Sequence, residues 1–370
     1  MMKKTAIVRL ATAAVLATAG SASAGINNYA PGSVVFTDTL GDRIGAVNVG
    51  LGLPNATFLH TLVGAPATDY LPAQLTLAGD GNWYVNEGSF SVNRPGRVIQ
   101  IQDLFGTPIE SNFDAGIPGD PGSVLDNPVG IHWDNARQRL WVVDNPGVAP
   151  NPGKADNLFN YTLAGVRQTS FTEPANNPGF AFYQDGQRLV PDRNTGDFFV
   201  IATNGGVAGQ GNPNTERGVV WRMSVDGGLN ATESVFFDFS NFLPAVIGEP
   251  QGIASALNGD GSQDLFVTDT VSNSIVRLIV NSDGTFGGAS TIFSQPGIAN
   301  GLTEIVYDPF NNKLVFSSEG TSEILRINRD GTGLETLATG VKVRGLYVIP
   351  TPGAAGILSL AGLVALRRRR

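Results

Sequence analysis

The residues best suited to chemistry in this 370-residue chain form one run, Asn258-Gly259-Asp260-Gly261-Ser262-Gln263-Asp264-Leu265. Asn258, Asp260 and Asp264 place hard oxygens within one tight turn. Closely spaced carboxylates repel until a divalent cation neutralises them, and the interleaved glycines permit the turn this needs. Calcium held there would be structural, and Ala256 offers no oxygen where a further acidic ligand would strengthen the site. The same run also reads as a plain Asp-Gly turn between two strands, which is the preferred expectation. Other chemistry is thin. The only two histidines are His60 and His132, and the latter sits between Ile131 and Trp133 in a strand-like run that suggests a packed or channel-facing imidazole. No Gly-x-Ser-x-Gly nucleophile elbow is present. The glycines from Gly205 to Gly211 lack the lysine and following helix of a phosphate loop. With no cysteine, disulfides and cysteine-bound metals are excluded.

The elements that must position these residues are strands. There are 47 glycines and 22 prolines but no long amphipathic helical pattern between the two ends of the chain. The chain also repeats itself. Residues 129–143 overlie 303–317 without a gap, apolar on apolar at nearly every strand position. Leu265 to Leu278 overlies Leu314 to Ile327 in the same way, and both reach an Asp-Gly turn, Asp283-Gly284 and Asp330-Gly331. The repeating unit is four strands joined by polar turns, which is the anatomy of a propeller blade.

Counting first strands near Leu75, Ile131, Phe180, Ile253, Ile305 and Leu346 predicts six blades. The last begins a blade whose other strands are missing downstream. They lie at the other end: Val35-Phe36-Thr37-Asp38-Thr39 matches Phe266-Val267-Thr268-Asp269-Thr270, with Thr-Asp-Thr identical. The expected fold is an all-β, six-bladed β-propeller over residues 25–349, its first blade closed by strands from both termini. Closure removes the free sheet edges that invite aggregation.

Both ends carry targeting patterns. Lys3, Lys4 and Arg9 precede an apolar stretch, and Ala22-Ser23-Ala24 supplies small residues for cleavage before Gly25, so residues 1–24 read as a signal peptide. At the other end, residues 350–370 combine Pro350-Thr351-Pro352-Gly353, an uncharged stretch to Leu366, and the cluster Arg367, Arg368, Arg369 and Arg370. A helix over that uncharged stretch rises only about 21 Å, short of a bilayer core of about 30 Å. Its expected role is transient membrane attachment with the arginines on the cytoplasmic side. This order of parts resembles the PEP-CTERM sorting signal of bacterial exported proteins, which implies a sorting protease in the membrane as partner and an exported, cell-surface or extracellular location. The net charge of −8 becomes −15 once the seven basic residues of the two ends are set aside. Such a balance argues against nucleic acid or an anionic membrane surface as partner of the folded part.

Asn127-Pro128-Val129-Gly130-Ile131, Pro250-Gln251-Gly252-Ile253 and the stretch from Ile324 to Gly331 resemble six-bladed propellers of the NHL, YWTD and gluconolactonase-like superfamily. That architecture serves binding modules, scaffolds and hydrolases alike. For the hydrolases, the resemblance implies a divalent metal on the propeller axis, held by a Glu and by Asn or Asp just ahead of first strands. Asn300-Gly301-Leu302 resembles the Asn-Gly-Leu of those sites, with Glu249 or Glu304 as the carboxylate. The other equivalent positions, Ala73, Val129, Gln251, Thr303 and Arg344, bind cations poorly. The axial-channel candidates are therefore Gln251, Asn300, Glu304 and Arg344. The expected function is a non-catalytic surface or matrix module whose ligand is a glycan, a protein or another surface component; the alternative is a metal-dependent lactonase-like hydrolase. Three long connections, Asn86 to Gly96, Asn145 to Asn157 and Thr203 to Arg217, are candidate recognition loops.

Overall fold

In the computed structural model, the described residues are 28–350, apart from 51–55, 64–69, 90–95, 115–124, 126, 145–156, 173–185, 203–217, 240–249, 271 and 296–300. Residues 1–24, read from the sequence as a signal peptide, Asn300, and residues 351–370, read as part of a sorting signal, lie outside them. Within them, 24 strands form six four-stranded antiparallel sheets, each one blade of a β-propeller. The inner strands are Val343–Val348, Tyr70–Leu77, Pro128–Asp134, Gly186–Pro191, Pro250–Leu257 and Leu302–Asp308, numbered here as blades one to six. Phe180, taken from the sequence as the start of blade four, lies outside the described residues; the inner strand begins at Gly186, with Leu189 as its lead apolar residue facing Val200.

Blade one is closed as expected. Val34–Asp38 pairs antiparallel with Val343–Val348, with Val35 opposite Tyr347 and Phe36 opposite Leu346. Ile349 N–H then donates to Ser33 O at 2.7 Å. Chain ends more than 300 residues apart thus share one sheet, and blade one has its four strands like the other five.

Among the described residues, the core is divided between the blades. Its apolar residues form six clusters, one at each seam between neighbouring blades. Alternation along a strand divides each blade between two seams. In blade three, Trp141 and Val143 pack toward blade four, while Leu140 and Val142 pack toward blade two. This explains why second strands such as Val34–Asp38 and Gln263–Asp269 are buried at every position and read as continuous rather than alternating apolar runs.

The repeated Thr-Asp has a seam function too. Thr37 Oγ1 donates to Ala73 O and Thr268 Oγ1 to Thr303 O, each at 2.7 Å and each crossing to the inner strand of the next blade. Ser317 stands in the same place in blade six and reaches Val343 O. Such close approach excludes side chains on the facing strand. A Cβ on Gly252 would lie 2.4 Å from Thr303 O, and one on Gly345 2.3 Å from Ala73 O.

The two faces of the ring differ. Connections between first and second strands, and between third and fourth, are mostly short turns on one face, such as Asn258–Ser262, Asn281–Thr285 and Asn328–Thr332. The strand ends that bracket 64–69, 90–95, 115–124, 145–156, 173–185, 203–217, 240–249 and 296–300 all open on the other face. All three long connections singled out from the sequence join second to third strands there. Ser33 and Ile349, by contrast, lie on the short-turn face, where both described ends of the chain leave the ring.

Candidate functional site at the axial mouth

On the long-connection face, the inner strands begin around the axis, and the axis is bolted by charge. Arg188 projects from the inner strand of blade four. Its Nε donates to Glu304 Oε2 of blade six at 2.6 Å, its Nη2 to Arg344 O of blade one at 2.7 Å, and its Nη1 to Val129 O of blade three. One side chain therefore ties four blades. The pair is enclosed, with Arg188 7% and Glu304 1% exposed. Burial pushes the Glu304 carboxyl above its usual range, against the pull of Arg188 and of the Ile305 N–H. Another buried acid near this end, Glu87, is raised by burial in the same way and opposed by its partner Arg97.

Beside this bolt lies a cavity of about 20 Å³, lined by Leu71, Ala73, Gly88, Asn127, Val129, Arg188 and Arg344. Arg344 is 38% exposed, and its Nε donates to Glu319 Oε1 at 2.7 Å. Asn127 is 8% exposed; its N–H donates to Asp144 Oδ1, but its own Oδ1 is buried with no hydrogen-bond partner. Gly88 makes room for that oxygen, since a Cβ there would lie 2.2 Å from Asn127 Oδ1. Of the sequence-derived axial residues, Ala73, Val129 and Arg344 meet in this cavity and Glu304 meets Arg188 beside it. Gln251 is on the inner strand of blade five, part-buried and outside the cavity lining.

The Asn258–Asp264 run behaves as a turn. Asn258 N–H donates to Ser262 O, Asn258 Nδ2 to Ser262 Oγ, and Asp260 Oδ1 accepts from both Ser262 N–H and Oγ. Asn281-Ser282-Asp283-Gly284-Thr285 and Asn328-Arg329-Asp330-Gly331-Thr332 repeat this network bond for bond. In all three, hydrogen bonds from the Ser or Thr hold the Asp carboxyl below its usual range. Asn258 Oδ1 and both carboxylate oxygens of Asp264 are turned to cations of the protein itself. Arg329 of blade six donates to Asn258 Oδ1 at 2.6 Å and to Asp264 Oδ2, while Arg277 takes Asp264 Oδ1 at 2.9 Å. A donor set facing two guanidinium groups does not fit a calcium ion. Among the described residues, no group of three or more His, Asp or Glu is placed to hold a metal.

Neither histidine joins the mouth. His132 keeps some solvent contact, but the protein packed around it lowers its pKa to about 4, leaving the ring neutral near the edge of Phe198. His60 Nε2 meets Glu110 Oε2 at 3.0 Å across the seam of blades one and two. Arg188 and Asn127 are what sequence reasoning missed. Asn127 stands in a quoted motif, two residues before Val129. The signal for Arg188 was its place immediately ahead of Leu189, the position of Glu304 ahead of Ile305.

No protein-family model and no curated protein sequence matches the chain. Solved structures do. A chain of a nidogen/laminin complex aligns with a TM-score of 0.58 at 11% identity, covering 86% of this chain and 98% of that one. A luciferin-regenerating enzyme aligns with a TM-score of 0.52 at 14% identity, covering 85% and 92%. A putative gluconolactonase aligns at 0.49 and 14%, covering 84% and 87%. The class is thereby a six-bladed β-propeller. At these identities the likeness is one of fold, and a chain of a nidogen/laminin complex and a luciferin-regenerating enzyme share it.

Proposed function

We propose that this protein is a non-catalytic binding module that works at the cell surface or in the extracellular matrix. The observation that carries this reading is the Arg188 to Glu304 ion pair. A metal-dependent hydrolase of this architecture needs unneutralised oxygens converging at the axial mouth, and here the mouth carboxylate is committed to a buried guanidinium. The neighbouring cavity has room for about one water-sized group, too little to surround a lactone.

The export patterns of residues 1–24 and 350–370 supply the location in this reading. The tail continues from Pro350, beside Ser33, on the short-turn face. An attachment through the tail, to the membrane or to what a sorting protease leaves, points the axial mouth and the long connections away from the anchor. Rigid propellers present recognition on such a face.

The test is turnover. The purified protein is assayed for lactone and ester hydrolysis with calcium, magnesium, manganese or zinc added and after chelation. No metal-dependent turnover is expected; turnover that a metal restores and Glu304→Gln abolishes would overturn the reading. Mass spectrometry of the native ends tests the location, with an N-terminus at Gly25 expected.

A further inference from the structure

We infer that the cavity at the axial mouth is a saccharide subsite that grips a neutral vicinal diol. This deepens the binding-module reading and rests on it. Four features combine. Asn127 Oδ1, in a residue 92% buried, is an acceptor without a donor in a wall of the cavity. Leaving a buried acceptor unsatisfied is costly, so the site is built to receive an N–H or O–H. Arg344 spends Nε on Glu319, while its Nη1 and Nη2 have no hydrogen-bond partner among the described residues and the part-exposed side chain lines the cavity. A hydroxyl that accepts from Arg344 while its neighbour donates to Asn127 satisfies both ends at once.

Charge and shape select the ligand class. The two arginines of the mouth are matched by Glu304 and Glu319, which gives no net attraction for an anion and leaves neutral polar groups favoured. The remaining walls, Leu71, Ala73, Val129 and the bare backbone of Gly88, offer an apolar surface for the C–H face of a sugar ring. At about 20 Å³ the cavity admits one hydroxyl, not a ring, so the sugar stands in the mouth with one group inserted. In the free protein one water fits that place and the ligand hydroxyl replaces it, keeping its hydrogen bonds.

The experiment titrates the full protein with methyl glycosides of glucose, galactose, mannose and fucose, and with methyl glucuronide, followed by saturation-transfer NMR and calorimetry. A neutral glycoside is expected to bind saturably, with a Kd on the order of 1 mM for so small a contact. Asn127→Ala and Arg344→Gln are each expected to weaken it about tenfold at unchanged thermal stability of the fold. Glu319→Gln frees a positive charge and is expected to shift preference toward the glucuronide. Oligosaccharides carrying the preferred sugar at an end distinguish a glycan from a free sugar as the source. Absence of saturable binding, binding indifferent to both Asn127→Ala and Arg344→Gln, or a Glu319→Gln preference unchanged would overturn the inference. Failure here without metal-dependent turnover leaves the binding-module reading standing; turnover would remove that reading whatever the sugars do.

Discussion

Replacing Arg188 by methionine strips the bolt from the axis and leaves Glu304, 1% exposed, as a buried carboxylate with no cation. Removing one partner of a buried ion pair costs about 3–5 kcal/mol, chiefly because the other charge stays desolvated. The lost donors to Val129 O and Arg344 O add little, since both carbonyls border a cavity with room for water. At about 2 °C per kcal/mol for a domain of this size, Tm is expected to fall by about 6–10 °C. The double variant Arg188→Met, Glu304→Met removes the stranded charge and is expected to recover to within about 2 °C of the native protein, as buried pairs replaced by apolar groups often do. The pH dependence supplies a second readout. Burial already raises the Glu304 carboxyl. Without Arg188 it rises further, so the deficit of the single variant is greatest at neutral pH and narrows as acid protonates Glu304. Thermal melts of the four proteins of the cycle, repeated at acid and neutral pH, check this. Equal losses in the single and double variants, or a deficit that does not depend on pH, would refute the argument.

Other consequences are as definite. Gly252→Ala sets a Cβ 2.4 Å from Thr303 O and 2.9 Å from Ile305 N, both backbone of the next blade, and a loss of at least about 1–3 kcal/mol in urea unfolding is expected. His132, with its folded pKa lowered to about 4, gives the protein stability that is intact above its unfolded pKa of about 6.5 and is lost as pH falls between the two values, by up to about 3 kcal/mol. His132→Gln should flatten that limb of the denaturation profile. Asp260, Asp283 and Asp330 have depressed carboxyls, so their stabilisation is present above the unfolded carboxylate pKa of about 3.9 and disappears as pH falls through the lower folded values. The triple Asn variant should therefore differ least from the native protein in strong acid. Millimolar calcium should leave Tm unchanged relative to chelator, because Arg329 and Arg277 already hold the oxygens of Asp264; a saturable rise would restore the calcium reading.

The blades, their number and the closing of the ring were legible in the sequence because each rests on local rules. Strands buried on both sides need apolar β-formers without interruption, hairpins need Asn, Asp or Gly at fixed places, and a blade lacking strands at one end must find them at the other. Even Thr-Asp-Thr, matched only as a repeat, proved to mark hydroxyls that cross two of the seams, from Thr37 and from Thr268. The Asn258 run was legible as a turn, yet its fate was sealed by Arg329, 65 residues beyond Asp264 and one blade away. The axial mouth was hidden more deeply. Arg188 meets Glu304 across 116 residues, and Asn127, Arg344 and Gly88 come from three different blades. No spacing along a chain records such meetings, because the distance between blades around an axis is set by how many sheets close the ring and how tightly their seams pack. Composition and pattern thus determined that this chain forms a propeller; only the closed ring decided which charges neutralise each other at its centre and which buried polar atoms, such as Asn127 Oδ1, are left without a partner.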